Sequence, residues 1–372
     1  MPSNEREPNR LLFQRFPQLK ERLAWMPLAD LPTRVQRLDR LSDLVKADIW
    51  MKRDDENSSL YSGNKARKFE FIFAEAKAKG RTAVITSGSA GSNHGAATVV
   101  VGRKLGFDVL LVISPQPVLS YVRQNILVDL SQGAQMYAVN SNPATVLKIL
   151  RLAFERRMKQ GQWPYYMYFG GSSLVGTVGF VEAGLELAEQ VKRGEMPMPA
   201  YVFVPTGSAG THAGLEVGFR LAGLDTKVIG IRIVPKTMTN RFIVANIATR
   251  TAAMLHKLCF DFPAIKVKAS EVTVLDGFFG CEYGRPTCAC KEAIETLKKT
   301  EGLPLDPTYT GKGFAGMLDF IRSGKAEGKP VLYWQTLNSV DLKNYIDPDL
   351  KPASLPPILR KYFELELYDT DL

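Results

Sequence analysis

Lys65 stands at an unusual place for a positively charged side chain. It directly follows a Ser-Gly-Asn sequence at the predicted first turn of a helix, and two of the next three residues are Arg67 and Lys68. The N-terminus of a helix carries partial positive charge, which makes it an unfavourable position for an ammonium group. Either the Lys65 side chain extends into water, or this setting lowers the pKa of its amine for a chemical purpose.

Three polar side chains follow the strand predicted at residues 82–86. They lie in the segment 87–95, which reads Ser-Gly-Ser-Ala-Gly-Ser-Asn-His-Gly. The small residues let a backbone approach a ligand closely, while Ser92, Asn93 and His94 add polar groups at the start of a helix. A helix N-cap would explain one of these side chains but not the whole group. We therefore interpret the segment as a ligand-binding loop.

A third junction, after the strand predicted at residues 201–205, has the composition of a phosphate-binding loop. Its backbone N–H groups and three hydroxyls can point at one anion at the positive end of the following helix. It is not a P-loop, because G-x4-G-K-[ST] is absent, and it does not match the dinucleotide-binding pattern G-x-G-x-x-G. The candidate phosphate ligands are Thr206, Gly207, Ser208, Ala209, Gly210 and Thr211.

Two tyrosines occur in segments rich in glycine and proline. Tyr283 lies in Cys-Glu-Tyr-Gly-Arg-Pro, and Tyr309 lies in Leu-Asp-Pro-Thr-Tyr-Thr-Gly-Lys-Gly. On such loops both side chains can line a pocket. For either tyrosine taken alone, packing in the core or on the surface is the simpler interpretation.

Alternating strands and helices must position these junctions. The helix after Lys65 has apolar residues at positions 69, 72, 73 and 76, the spacing of one buried face, and Gly80 fits the residue just past its end. Such alternation predicts parallel sheets with helices on both faces, in which ligands bind beyond the carboxyl ends of strands. Strands are predicted at residues 49–53, 82–86, 109–114, 135–139, 165–169, 201–205, 228–234 and 331–335.

The length and composition are those of a two-domain globular protein. The chain has 372 residues, of which 45% are hydrophobic and 23% charged. No stretch approaches the roughly 20 apolar residues of a membrane-spanning helix. Residues 1–30 are interrupted by charges and prolines and do not resemble a signal peptide. We therefore expect a cytoplasmic protein with no membrane partner.

The charges and cysteines argue against two further classes of function. The net charge of +10 is scattered rather than interleaved with aromatic residues, which disfavours nucleic-acid binding, although it can attract anionic ligands. Four unevenly spaced cysteines favour reduced thiols, and they lack the paired C-x2-C pattern of structural zinc sites. No metal site is predicted. The cysteines are Cys259, Cys281, Cys288 and Cys290.

A lysine in a pKa-lowering setting, a separate phosphate loop and an open α/β sheet together suggest a pyridoxal phosphate Schiff base. The sequence resembles the fold type II pyridoxal phosphate enzymes, which are tryptophan synthase β-like. Within them it is most similar to the branch of 1-aminocyclopropane-1-carboxylate deaminase and D-cysteine desulfhydrase. The resemblance runs from about residue 31 to residue 336. Its marks are KRDD…SGNKARKFE, SGSAGSNHG, GFVEAGLELAEQV, PTGSAGTHAGL, CEYGRP and LDPTYTGKGFAGM.

The resemblance implies how the chain would hold pyridoxal 5'-phosphate. Lys65 would form the Schiff base, Asn93 would hydrogen-bond the phenolic oxygen, and residues 206–211 would hold the phosphate. Thr310 would reach the pyridine nitrogen, where the deaminases have a glutamate. Threonine can hydrogen-bond this nitrogen but brings no negative charge, which favours elimination over ring-opening. The simpler alternative is that Thr310 only caps the helix starting near Gly311.

The resemblance also implies a reaction. A small D-amino acid such as D-cysteine would undergo α,β-elimination to an α-keto acid, ammonia and a leaving group. The alternatives are ring-opening deamination of 1-aminocyclopropane-1-carboxylate and a catalytically silent pyridoxal phosphate-binding protein. The implied catalytic residues are Lys65, Ser92, Tyr283 and Tyr309, and the implied substrate-binding residues are Ser92, Asn93 and His94.

By the same resemblance, two open, twisted parallel-sheet domains enclose the cofactor in the cleft between them. Residues 1–67 and 187–372 would form the larger domain and residues 68–186 the smaller one, and a homodimer is expected. The chain departs from its relatives in two places. A Ser-Gly pair at residues 62–63 replaces the usual Gly-Gly, and residues 89–91 replace the usual Ile/Val-Gln pair, which leaves the substrate contacts near Ser92 open.

Overall fold

The computed structural model describes residues 10–368, and within them ten strands form two sheets. The strands are β1 (Val35–Arg37), β2 (Ile49–Lys52), β3 (Ala83–Ser89), β4 (Asp108–Ser114), β5 (Gln135–Ala138), β6 (Tyr165–Tyr166), β7 (Tyr201–Thr206), β8 (Lys227–Arg232), β9 (Thr273–Leu275) and β10 (Val331–Trp334). One sheet has the order β1-β2-β10-β7-β8-β9 and the other β5-β4-β3-β6. Neighbouring strands are parallel except β1 and β2.

Thirteen α-helices connect these strands within the described residues. They are α1 (Leu11–Arg15), α2 (Pro17–Arg22), α3 (Asp39–Val45), α4 (Asn64–Ala78), α5 (Asn93–Lys104), α6 (Ser120–Ser131), α7 (Asn142–Gln160), α8 (Leu174–Lys192), α9 (Gly210–Ala222), α10 (Arg241–Leu258), α11 (Cys288–Glu301), α12 (Thr310–Arg322) and α13 (Pro357–Glu364). Short 3-10 helices lie at residues 54–56, 169–171, 342–345 and 352–354.

The four-stranded sheet is covered by helices on both faces. Successive residues of a strand point to opposite faces of the sheet. The apolar side chains of β4 accordingly pack in turn against the helices on one face and on the other. Leu111 packs with residues of α4, α5 and α6, including Phe73 and Ile126. Leu110 points the other way and packs with Leu152 of α7. This sheet is therefore a buried central layer.

The six-stranded sheet has the same three-layer construction. On one face Val204 packs with Phe180 of α8 and Phe219 of α9. On the opposite face Phe203 packs with Phe314 of α12, in a cluster that also includes residues of α3 and α11. The predicted α/β class, with parallel sheets and helices on both faces, is confirmed.

All eight predicted strands are present, with β6 much shorter than predicted. The helix after Lys65 is also confirmed as α4, and Gly80 follows its C-cap residue Lys79 with a φ of 62°. The structure adds two strands that were not predicted, β1 and β9. Both have only three residues and lie at the two edges of the larger sheet.

The four-stranded sheet lies wholly within residues 68–186, the predicted smaller domain. The predicted boundary after residue 186 falls inside α8, however, and Val178 and Val181 of that helix pack with Ala213 and Val217 of α9. The first turns of α8 are thus part of the core beside the larger sheet. The domain limits themselves stay a prediction.

Three composition-based expectations can be compared with the described residues. Between residues 10 and 368 no helix is both long and apolar enough to span a membrane. All four cysteines are free, with Cys259 and Cys290 buried and Cys281 and Cys288 exposed. The same residues contain no group of three or more His, Cys, Asp or Glu side chains placed to hold a metal ion.

Candidate active site

A cavity of about 770 Å³ opens where strands of both sheets end. Its wall includes the last residues of β3 and β7 and residues 336–338, just beyond β10. This is the edge at which parallel sheets bind ligands. Of the predicted site residues, Gly210 and Thr310 lie outside the cavity wall. Those in the wall are Lys65, Ser92, Asn93, His94, Thr206, Gly207, Ser208, Ala209, Thr211, Tyr283 and Tyr309.

Lys65 is placed by the way α4 begins. Gly63, the N-cap residue, has a φ of 81°, and a Cβ atom there would lie 2.4 Å from the Thr336 carbonyl oxygen. Only glycine fits this contact between the start of α4 and the end of β10. The tight contact fixes the first turn of α4, and with it Lys65, against the end of the larger sheet.

The environment of Lys65 shifts its amine towards the neutral form. Burial lowers its pKa to about 8, although the Asp306 carboxylate acts in the opposite direction. The Nζ atom donates a hydrogen bond of 2.7 Å to Asn64 Oδ1. Of the two interpretations of this lysine, the lowered pKa is therefore the one that the structure supports.

The loop at residues 206–211 has the geometry of an anion site. Helix α9 begins at Gly210, so the N–H groups of its first turn have no hydrogen-bond acceptor within the helix. Ala209 has a φ of 67°, in the left-handed region, which turns the chain sharply into α9. Gly210 packs against Ser172 instead of facing the cavity, since a Cβ atom would lie 2.5 Å from Ser172 Oγ.

A second lysine stands behind this loop. Lys68 is completely buried, and its Nζ donates to the Gly170 carbonyl (3.0 Å) and to Ser172 Oγ (3.2 Å). Ser172 Oγ in turn contacts Ser208 Oγ at 2.7 Å and accepts from the Gly210 N–H at 3.1 Å. Burial, with a smaller effect of Lys65, holds the pKa of Lys68 well below its ordinary value. Sequence reasoning missed this connection, since Lys68 has the appearance of a surface charge.

The start of α5 combines capping with exposure to the cavity. Ser92 is the N-cap residue, and its Oγ accepts from the Gly95 N–H at 3.2 Å. His94 is buried, with its Nε2 3.0 Å from Thr86 Oγ1. Desolvation, together with Lys65 and Lys68, lowers the pKa of His94 well below its ordinary value, so the ring is neutral. The capping interpretation accounts for Ser92 but leaves Asn93 and His94 facing the cavity.

Tyr283 and Tyr309 meet in the cavity wall, where their hydroxyl groups are hydrogen-bonded to each other. Burial raises the pKa of both phenols, most strongly for Tyr309. Both hydroxyls therefore stay protonated at neutral pH; one proton lies between the two oxygens, and the other can be donated to a ligand.

Asp306 is a cavity residue that sequence reasoning did not identify. Its carboxylate caps α12 by accepting from the N–H groups of Thr308 (2.9 Å), Tyr309 (2.7 Å) and Thr310 (3.0 Å). The Thr310 hydroxyl also donates to it, at 2.6 Å, and accepts from the Asp306 N–H at 2.7 Å. Thr310 thus takes part in helix capping. Its predicted contact with a pyridine nitrogen stays a prediction.

The residues present fit pyridoxal phosphate. Lys65 offers an amine with a lowered pKa, as a carbonyl-binding lysine requires. The backbone of residues 206–211 forms a concave loop that suits a phosphate. This loop packs so closely against Ser172 that Gly210 has no room for a Cβ atom. Asp306 contributes a negative charge to the same wall.

Comparison with known proteins agrees with this fit. A family model described as "Pyridoxal-phosphate dependent enzyme" matches residues 27–336. A protein of Pyrococcus furiosus, provisionally named 1-aminocyclopropane-1-carboxylate deaminase, is 34% identical over 328 residues, which are 87% of this chain and 93% of that protein. The D-cysteine desulfhydrase of Serratia proteamaculans is 33% identical over 328 residues, 86% of this chain and 96% of that protein.

A solved structure gives the same result at the level of the fold. The crystal structure of an ACC deaminase homologue has a TM-score of 0.74 and 28% sequence identity, covering 89% of this chain and 99% of that chain. The predicted family and cofactor are confirmed. The chain belongs to the pyridoxal-phosphate dependent enzyme family.

Proposed function

We propose that the protein is a lyase that performs α,β-elimination on a small amino acid, with D-cysteine as the first candidate. Water completes the reaction, so that D-cysteine yields pyruvate, ammonia and hydrogen sulfide. The observation that carries the proposal is the amine of Lys65, whose pKa is lowered to about 8 in a wall shared with an anion-binding loop. The similarity to a named D-cysteine desulfhydrase supports this substrate.

Bound pyridoxal phosphate would withdraw electrons from the α-carbon of the substrate. Lys65 Nζ, with its lowered pKa, would take and hold the α-proton. The loop at residues 206–211, with Lys68 behind it, would hold the phosphate. One hydroxyl of the Tyr283–Tyr309 pair would donate a hydrogen bond to the departing sulfur while the other donates to its partner, because both remain protonated.

The amino acid itself would be held at the start of α5. Ser92 and Asn93 lie in the cavity wall at the positive end of that helix, where a carboxylate is favoured. The Asn93 amide would also donate a hydrogen bond to the phenolic oxygen of the cofactor. His94 is neutral and would add no charge to this contact. These assignments make the α5 end of the cavity the carboxylate side and the two tyrosines the leaving-group side.

Ring-opening deamination is the second candidate. Two observations favour it: the similarity to a provisionally named deaminase, and the Asp306 carboxylate in the cavity wall, which supplies a negative charge that Thr310 does not. The proposal further includes a cytoplasmic location and a homodimer, both expected from the sequence. Sedimentation analysis of the purified protein tests the oligomeric state.

A substrate panel tests the proposed reaction. Purified holoenzyme is incubated with D-cysteine, L-cysteine, β-chloro-D-alanine and 1-aminocyclopropane-1-carboxylate, and keto acid, ammonia and sulfide are measured. Lys65→Ala with added cofactor is the control for slow reaction with free pyridoxal phosphate. We expect sulfide from D-cysteine and little turnover of the cyclopropane. Turnover of the cyclopropane alone would reverse the ranking, and inactivity towards the whole panel would favour a silent binding protein.

A further inference from the structure

Asn125 of α6 is a buried amide that contacts the ligand-binding loop from behind. The residue is 1% exposed. Its Nδ2 donates two hydrogen bonds, one to the Gly91 carbonyl (2.9 Å) and one to Asn93 Oδ1 (3.0 Å). Both acceptors belong to the turn that leads into α5, and Asn93 lies in the cavity wall.

These two hydrogen bonds fix which atom of each amide faces which way. The Gly91 carbonyl can only accept, so the side of Asn125 that meets it must be the NH2 group. The remaining hydrogen of that group then points at Asn93, whose facing atom must be the oxygen. Asn93 therefore turns its own NH2 group away from Asn125, where it is left to serve a ligand as a donor.

The contact between α6 and the turn is too tight for the turn to shift. A Cβ atom on Gly91 would lie 2.6 Å from the Cα of Val122, one helical turn before Asn125. The backbone of residue 91 is thus pressed directly against α6. Asn93 cannot compensate for a change at position 125 by moving its loop closer.

We propose that Asn125 is a positioning residue that sets the direction of the Asn93 amide, so that Asn93 presents a hydrogen-bond donor to an anionic oxygen of the bound ligand. The inference rests on the proposed function, in which that oxygen is the phenolic oxygen of pyridoxal phosphate. If Asn125 is lost, the Asn93 amide is free to rotate and can present its oxygen instead.

This role has a spectroscopic consequence. A hydrogen-bond donor beside the phenolic oxygen would stabilise the negative charge on that oxygen. The stabilisation would be largest when the nitrogen that joins Lys65 to the cofactor carries no proton. Asn93 therefore lowers the pKa of that nitrogen. Loss of one such hydrogen bond should raise the pH midpoint of the visible absorption change by about one unit.

The test is a pH titration of the visible band in purified holoenzyme variants. Asn125→Leu removes both donors, Asn93→Ala removes the proposed contact itself, and the double variant combines them. We expect each single variant to raise the midpoint, and the double variant to show no more than the Asn93→Ala shift, because both act through one contact. The matched control is Gln132→Ala at the C-cap of α6, which removes the hydrogen bond from Gln132 Nε2 to the Tyr345 carbonyl. This variant should leave the midpoint unchanged.

Two results would overturn the inference. One is an unchanged midpoint in Asn125→Leu, and the other is a shift that adds fully to that of Asn93→Ala. If Asn125→Leu fails to fold, Asn125→Ser takes its place. We expect this variant to raise the pH midpoint as well, and an unchanged midpoint would again refute the role of Asn125. A wild-type protein with no visible band in saturating pyridoxal phosphate would instead refute the proposed function, which separates the two failures.

Discussion

Two glycines of the phosphate loop should respond very differently to the same substitution. A Cβ atom on Gly210 would lie 2.5 Å from Ser172 Oγ, 2.8 Å from its Cβ and 3.0 Å from its Cα. A Cβ atom on Gly207 would meet nothing closer than the Tyr309 ring, at 3.5 Å. Gly210→Ala is therefore the disruptive change, and Gly207→Ala is its matched control.

The contacts allow the size of the effect to be worked out. Rotation of the Ser172 side chain cannot relieve the clash at Gly210, because the Cα of Ser172 is also too close. Overpacking of this kind costs about 1–3 kcal/mol. If the cost falls on the loop conformation that holds phosphate, cofactor affinity drops by about 5- to 150-fold. The contacts of a Cβ at Gly207 are ordinary, so Gly207→Ala should change affinity by about twofold or less.

The assay is an equilibrium titration of cofactor-free protein with pyridoxal phosphate, read from the visible absorbance. Denaturant unfolding of the cofactor-free variants, run in parallel, measures how much of the cost appears as lost stability. The reasoning is refuted if Gly207→Ala weakens binding as much as Gly210→Ala does. It is equally refuted if Gly210→Ala changes neither affinity nor stability.

Three further outcomes are expected. Lys65→Ala should fold but show no visible band with cofactor, and borohydride should attach the cofactor to Lys65 in the wild type, which peptide mapping checks. Because burial lowers the pKa of Lys65 to about 8, the rate of cofactor uptake should rise about tenfold per pH unit below that value and level off above it, as stopped-flow absorbance would show. Arg67→Met leaves the buried carboxylates Asp54 and Glu186 without their shared partner and should lower the free energy of unfolding by about 3–5 kcal/mol. The exposed control Arg34→Met should cost about 1 kcal/mol or less, and equal effects of these two variants in denaturant unfolding would contradict the burial argument.

Strands with strong apolar patterns could be predicted from the sequence, and weakly patterned ones could not. β4 has five successive apolar residues, 109–113, and all are buried. β1, in contrast, is the three-residue segment Val-Gln-Arg, and it is held as a strand by its pairing with β2. Nothing local distinguishes such a segment from a loop, because a partner distant in sequence stabilises it. β9 was missed for the same reason.

The candidate site shows a similar division. Residues that meet the ligand cavity from the first turn of a helix, such as Lys65 and Asn93, could be recognised from their own sequence context. Residues that support them could not, because their role depends on neighbours far away in the chain. Lys68 acquires its place from Gly170 and Ser172, more than a hundred residues later. Asn125 likewise acts on residues some thirty positions earlier.

Thr310 and Asp306 together change the argument about reaction type. From the sequence, threonine at position 310 favours elimination because it brings no negative charge. In the structure its hydroxyl donates to Asp306, so it has no proton left for a ring nitrogen and can only accept. The carboxylate that residue 310 lacks thus lies four residues earlier, in the cavity wall. The case for elimination therefore moves to the leaving group. A departing thiolate needs a hydrogen-bond donor, and the Tyr283–Tyr309 pair keeps two protonated hydroxyls in that wall, one of which has a proton left to donate.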